Sequence, residues 1–206
     1  MTIPLVGAAP WLVGRAVRLE PLGEEHVDGL VAAAGENRAT YGYTAVPDGR
    51  EGMLEAVRVL VAARAAGEDV PFAQVRLADE RIVGATRFLS LRRRPGEPRP
   101  YAVEIGGTWL AASVQRSGIN REAKLLLLTH AFESWRVGRV EFRTDARNRR
   151  SRTAILGLGA SFEGILRSWQ PSQVAGEEHL LRDTAVYSVV AAEWTSVRGA
   201  LAARVG

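Results

Sequence analysis

The stretch from Glu104 to Asn120, EIGGTWLAASVQRSGIN, decides the fold. A strand runs into a glycine-containing loop, and the loop runs into a helix. Backbone N–H groups at a helix start point outward without intrahelical partners, and the helix dipole favours an anion there. Gly118 lets the backbone approach a phosphate closely, and Asn120 is placed to cap the helix. Gln115 to Asn120 therefore reads as a pyrophosphate cradle, the alternative being an ordinary capped helix. Gly106-Gly107 lies inside the strand, where glycine suits a bulge or a close backbone approach, or is simply a weak spot.

Upstream, Arg15 to Pro21 alternates apolar and charged residues as a half-buried strand does. Glu24 to Ala34 has Val27, Leu30, Val31 and Ala34 at helical spacing, closed by Gly35. A turn-rich loop with Tyr41 and Tyr43 leads to a second helix, Arg50 to Ala66, ended by Gly67. Val70 to Leu77, Arg81 to Leu91 and Tyr101 to Leu110 read as three strands. Downstream of the quoted stretch come a long helix from about Ile119 to Arg136, a strand Arg139 to Asp145 and a helix Asn148 to Leu158. The strands Ser161 to Trp169 and Leu181 to Trp194 and a short terminal helix complete the chain. The pattern predicts one α/β domain over residues 1–206, its core about 15–195, with a mixed sheet in the order β-α-α-β-β-β-α-β-α-β-β. No internal repeat, low-complexity segment or linker interrupts it.

Composition fits that reading. Of 206 residues, 47% are hydrophobic and 24% charged, ordinary for a globular chain with a real core. There is no cysteine, so disulfides, thiolate metal sites and a cysteine nucleophile are excluded. No stretch reaches the ~18 apolar residues a membrane span needs. Met1 to Val13 has no Lys or Arg before its apolar residues, against a secretory leader, so a cytoplasmic protein is expected. The net charge is +4, carried by scattered arginines and the lone lysine Lys124. Arg92-Arg93-Arg94 and Arg147 to Arg152 are the only clusters, too short and too poor in interleaved aromatics for a nucleic-acid face. His26, His130 and His179 share no motif, so no metal is expected.

Gln115-x-x-Gly118-x-Asn120 after a strand, followed by Glu122-Ala123-Lys124, resembles the acetyl-CoA-binding motif of the GCN5-related N-acetyltransferase (GNAT) superfamily, with Asn120 in place of the last small residue. Arg139-Val140-Glu141-Phe142, Asn148-x-x-Ser151-x-x-Ala154, Gly159-Ala160, Glu163-Gly164-x-x-Arg167, Arg182-Asp183-Thr184 with Tyr187, and Glu193-Trp194 resemble its RimJ/RimL-like branch of ribosomal-protein N-terminal acetyltransferases. The resemblance implies transfer of acetyl from acetyl-CoA to a primary amine by direct attack in a ternary complex. It implies a sheet whose two parallel strands splay apart to admit the pantetheine arm.

Site residues follow from the same resemblance. Gln115, Arg116, Ser117, Gly118, Ile119 and Asn120 would hold the phosphates, and backbone groups near Trp109 and Leu110 the pantetheine arm. One of those backbone groups would also stabilise the oxyanion. Asn148 would add a hydrogen bond. Glu104, just before the bulge, is the candidate general base, or else a carboxylate that binds a cationic acceptor. Tyr187 and Ser151 are candidates to protonate the leaving thiolate. Tyr187 is favoured as the acid and Ser151 as a holder of the pantetheine arm, although Tyr187 could equally be a core tyrosine. Asp183 would orient the acceptor or Tyr187, or serve the strand end. The acceptor is expected to be a protein α-amine or lysine side chain. The alternatives are a small amine or a silent coenzyme A-binding module. Tyr41 and Tyr43 could line its pocket. A monomer or a homodimer is compatible with the sequence.

Overall fold

The computed structural model describes residues 9–205; most of the Met1–Val13 stretch used in the leader argument lies outside them. Eight strands form one mixed sheet in the order β1-β2-β3-β4-β5-β6-β8-β7. They are β1 (Leu12–Val13), β2 (Val17–Pro21), β3 (Val70–Arg76), β4 (Arg81–Arg93), β5 (Pro100–Leu110), β6 (Arg139–Asp145), β7 (Ser161–Pro171) and β8 (Leu181–Val190). The helices are α1 (Val27–Gly35), α2 (Gly49–Ala65), α3 (Ile119–Thr129), α4 (Arg149–Leu156) and α5 (Trp194–Ala202). The expected order holds, with β1 added as a two-residue hairpin arm on β2.

Long-range contacts move several boundaries. The helix expected to reach Arg136 is α-helical only to Thr129, and a π turn follows over His130–Ser134. His130 and Trp135 there pack on Phe88 of β4, and Phe132 stacks on Trp194. β4 runs on to Arg93, whose guanidinium donates to Gly67 O at 2.8 Å. β8 stops at Val190, and Trp194 opens α5, its indole N–H donating to Glu133.

Strand alternation sorts the side chains of β4. Thr86 and Phe88 meet Lys124 and His130 of the α3 segment, whereas Arg87 reaches Asp69 at 3.1 Å on the face of α1 and α2. α3 is fastened to the sheet through Glu122. This carboxylate, in the first turn of α3, accepts the backbone N–H groups of Arg15 (2.5 Å), Ala16 (2.8 Å) and Val17 (3.1 Å). Glu122 is only 4% exposed, so truncation leaves three donors without a partner. Glu122→Ala is expected to cost about 3–5 kcal/mol in chemical denaturation, the range for breaking a buried charged contact. A loss below about 1 kcal/mol would show that β2 holds its place without this anchor.

Candidate active site

The parallel strand pair of the sheet, β5 with β6, is short. Ala102, Val103 and Glu104 pair with Arg139, Val140 and Glu141, and there the pairing ends. β5 continues to Leu110 paired with β4, and β6 continues to Asp145 paired with β8. A wedge-shaped gap therefore opens beyond Glu104, with strand backbone on both sides. A bulge sits at its apex: between Ala85↔Trp109 and Arg87↔Gly106, β5 carries one residue more than β4. Gly107 takes φ +57° there, a left-handed conformation that glycine adopts without strain. The Trp109 carbonyl turns toward β3, accepting from Gln74 Nε2 at 3.3 Å. By alternation Leu110 presents its backbone the other way, and its carbonyl accepts from Tyr41 Oη (3.1 Å) and Gln115 Nε2 (3.0 Å).

The cradle stands at the mouth of that gap. Gly118, at φ +93°, is the N-cap of α3. The expectation that Asn120 would cap is thereby corrected, since Asn120 is the second helical residue. Its carboxamide oxygen is buried without a partner among the described residues. Arg116 also has positive φ, +65°, which turns the loop sharply into the helix. The N–H groups of Arg116, Gly118, Ile119, Asn120 and Arg121 have no acceptor among the described residues, while Glu122 N–H closes on Gly118 O at 3.0 Å. Those free donors and the orphaned carboxamide suit a polyphosphate. Two cradle side chains face elsewhere. Ser117 Oγ donates to Val114 O at 2.6 Å. Gln115 braces the loop from inside, donating to Thr40 Oγ1 (3.1 Å) as well as Leu110 O and accepting from Arg150 (3.1 Å).

Glu104 lies at the closed end of the gap, on the face away from α3, beside Gly106. It is 6% exposed. Arg143 Nε is 3.6 Å from Oε2, and Ser90 Oγ is at 3.4 Å. Burial raises its carboxyl above the usual range; Arg143 opposes that shift, and nearby Glu141 adds to it. Arg143 also donates to Glu141 at 2.9 Å, and Glu141 in turn binds Arg92 and Arg139, both at 2.7 Å. Glu104 thus borrows one edge of an arginine that is committed to another acid.

A family profile for the acetyltransferase (GNAT) domain matches residues 16–161. The chain belongs to the GNAT acetyltransferases. It is therefore an acetyl-CoA-dependent N-acetyltransferase by family. A GCN5-related N-acetyltransferase from Brucella melitensis is 27% identical, with TM-score 0.82 over 100% of this chain and 88% of that one. A T. thermophilus protein assigned to the acetyltransferases is 31% identical, with TM-score 0.79 over 96% and 98% of the two chains. Mycobacterium smegmatis RimJ in complex with CoA-disulfide shares the fold at TM-score 0.79 and 21% identity, over 96% of each chain. No curated protein gives a significant match.

The GNAT chain places its remaining candidates unequally. Asn148 caps α4, its side-chain oxygen accepting Ser151 N–H at 3.0 Å, which leaves its amide hydrogens for a ligand. Ser151 stands in the first turn of α4, half-buried, with no hydrogen bond to its hydroxyl among the described residues. Arg150 ties this turn to the cradle through Gln115. Tyr187 has a different setting from the one expected of a thiolate acid. It is 0% exposed, and its hydroxyl accepts Arg152 Nε at 2.9 Å. It pairs with Phe142, which strand alternation puts on the face opposite Glu141, Arg143 and Glu104. Asp183 accepts Ser168 N–H at 2.8 Å in an irregular part of β7. Tyr41 is a core residue, its ring edge-on to Trp109 at 5.9 Å, and Tyr43 lies against Arg147.

The sequence reading passed over Arg143 and Lys124. The period-two run Arg139, Glu141, Arg143, Asp145, Arg147 was the available signal for Arg143, one charge in a stripe along a single face of β6. Nothing local marks Lys124 as buried.

Proposed function

We propose that this enzyme acetylates a protein amine, an N-terminal α-amine or a lysine side chain, in the manner of the RimJ/RimL-like branch and in the cytoplasm. One observation carries the chemistry: a buried carboxylate with a raised pKa, Glu104, stands beside a bulged strand edge where two parallel strands part. A carboxylate so placed takes a proton from an incoming ammonium, directly or through one water. Arg143 opposes the rise that burial causes and so favours the ionised, basic form of Glu104. The α3 start, Arg116 to Asn120, and Asn148 bind the coenzyme, and the β5 edge around Leu110 orients its arm. The protein acceptor rests on the motifs that resemble the RimJ/RimL-like branch, Asn148-x-x-Ser151-x-x-Ala154 and Arg182-Asp183-Thr184 with Tyr187 among them. Thiol release from acetyl-CoA, measured with N-terminal peptides, lysine peptides and a panel of small amines, decides the acceptor. Turnover confined to the small amines would overturn the protein assignment.

Ser151 takes the role of thiolate donor in this proposal, because its hydroxyl is free and sits at the mouth of the gap. Tyr187 keeps Arg152 in place. Ser151→Ala is then expected to lower kcat ~10²-fold, the low end of what a positioned acid contributes. Tyr187→Phe is expected to keep kcat within about twofold while losing ~1 kcal/mol of stability with its hydrogen bond. Steady-state kinetics beside urea melts would reveal the reverse pattern, which would return the acid to Tyr187.

A further inference from the structure

The lone lysine of the chain, Lys124, is also among its most buried polar residues, 4% exposed. It sits in the second turn of α3, two residues after the Glu122 anchor. Its Nζ donates to Thr86 Oγ1 at 3.0 Å and to Thr108 Oγ1 at 2.5 Å, and the two hydroxyls are 2.8 Å apart. No carboxylate pairs with it among the described residues. Glu122 is committed to the β2 backbone, and burial alone lowers the amine to about 7. A buried amine without an acid beside it is costly to charge, and a fully hydrogen-bonded polar cluster rigidifies what it joins.

What it fixes is the bulge. Thr108 is a bulge residue of β5, and Thr86 is the β4 residue opposite the bulge. Thr108 Oγ1 also lies 3.4 Å from Gly106 O, so the cluster spans the bulge from Gly106 to Thr108. The same helix that opens with the phosphate cradle thus grips, one turn further on, the strand edge that faces the gap. One rigid element sets the spacing between the anion end and the acyl end of the site.

We propose that Lys124 is a positioning residue for acyl transfer: through Thr86 and Thr108 it holds the bulge so that the backbone from Gly107 to Leu110 meets the acyl group in register with the cradle. This rests on the acetyl-transfer reading above. The ammonium touches no reacting atom. It acts by removing the freedom of the strand that does, and misplacement of about 1 Å at a reacting centre costs ~10²-fold in rate.

Lys124→Met keeps the length and deletes the donors. We expect kcat to fall ~10–100-fold while KM for acetyl-CoA changes less than about threefold. Amide exchange from Gly107 to Leu110 should quicken, and the melting temperature at pH 7 should hold or rise because the unpaired amine is gone. A purely structural lysine would give the opposite split, a lower melting temperature with kcat unchanged, and that result overturns the proposal. If Lys124→Met does not fold, the comparison of Thr108→Val with Thr108→Ser settles the question. Loss in the valine variant with rescue by serine supports the proposal, and equal kcat in both overturns it. Failure of the acetyl-transfer reading shows separately, as no acetyl-CoA-dependent thiol release by the parent. Exchange at Gly107–Leu110 then decides alone, and unchanged protection in Lys124→Met sinks the proposal.

Discussion

Glu104→Gln is expected to bind acetyl-CoA as the parent does and to turn it over ~10²–10⁴-fold more slowly at pH 7, the worth of general-base assistance. The substitution preserves shape beside Gly106, and Arg143 is not orphaned because Glu141 still holds it at 2.9 Å. Two pH signatures accompany the loss. In the parent, only the ionised carboxylate is a base, and burial has raised its pKa, so the acid limb of kcat/KM lies above the ordinary carboxylate range. In the variant that limb disappears and the deficit narrows at high pH, where free amine is plentiful. Stability moves the other way. A carboxyl whose native pKa is raised binds more protons folded than unfolded, so the parent loses stability as pH rises from the unfolded value through the native one. Removing that group leaves Glu104→Gln at least as stable as the parent at pH 7. Parent-like turnover at pH 7 would remove Glu104 from the mechanism.

Gly118→Asp is expected to lose most of the stabilisation that acetyl-CoA should give the parent, ~2.7 kcal/mol at about 100 times the dissociation constant. The protein itself does not crowd a side chain here, since a Cβ at Gly118 meets no protein atom within 4 Å. The φ of +93° is one cost, about 1–2 kcal/mol for a residue with a side chain, and it weighs on the free protein. The negative charge at the unpaired N–H groups is the other, and it weighs on the complex. Gly118→Asn separates them: it shares the backbone cost, tolerates left-handed φ, and carries no charge. We expect asparagine to keep a measurable melting shift with acetyl-CoA and aspartate to show almost none. A parent-sized shift in the aspartate variant would place the phosphates elsewhere.

The parts of this site that the sequence made legible are those set by neighbours in the chain. Gly107 and Gly118 announce a bulge and a helix start because a positive φ is a local demand that glycine meets. Asn148 opens the expected helix, and the cap it supplies is local as well, acting on Ser151 N–H three residues on. Partners far along the chain escaped that reading. The burial of Tyr187 and the hydrogen bond its hydroxyl accepts from Arg152, 35 residues away, have no local signal. Gln115 matched a cofactor motif, yet its side chain donates to Thr40 and Leu110 and accepts from Arg150. A lysine on a helix reads as solvated, and only the packing of α3 over Thr86 and Thr108 buries Lys124. The π turn after Thr129 also depends on distant rings, those of Phe88 and Trp194.

The three-residue seam between β5 and β6 has a consequence for the order in which the chain folds. Strands β2 to β5 form an antiparallel run of neighbours, β3 to β5 joined by short turns, all contained in the first 110 residues. Such local pairings close quickly and are available while the rest of the chain is still being synthesised. The second half-sheet, β6 with β8 and β7, is likewise antiparallel and local to residues 139–190. The seam needs a crossover through α3, as the step from β6 to β7 needs one through α4, and it offers only three residue pairs for that closure. Docking of the two halves is then the late step, and α3, clamped to β2 by Glu122 and to the bulge by Lys124, is the element that has to seat before they meet.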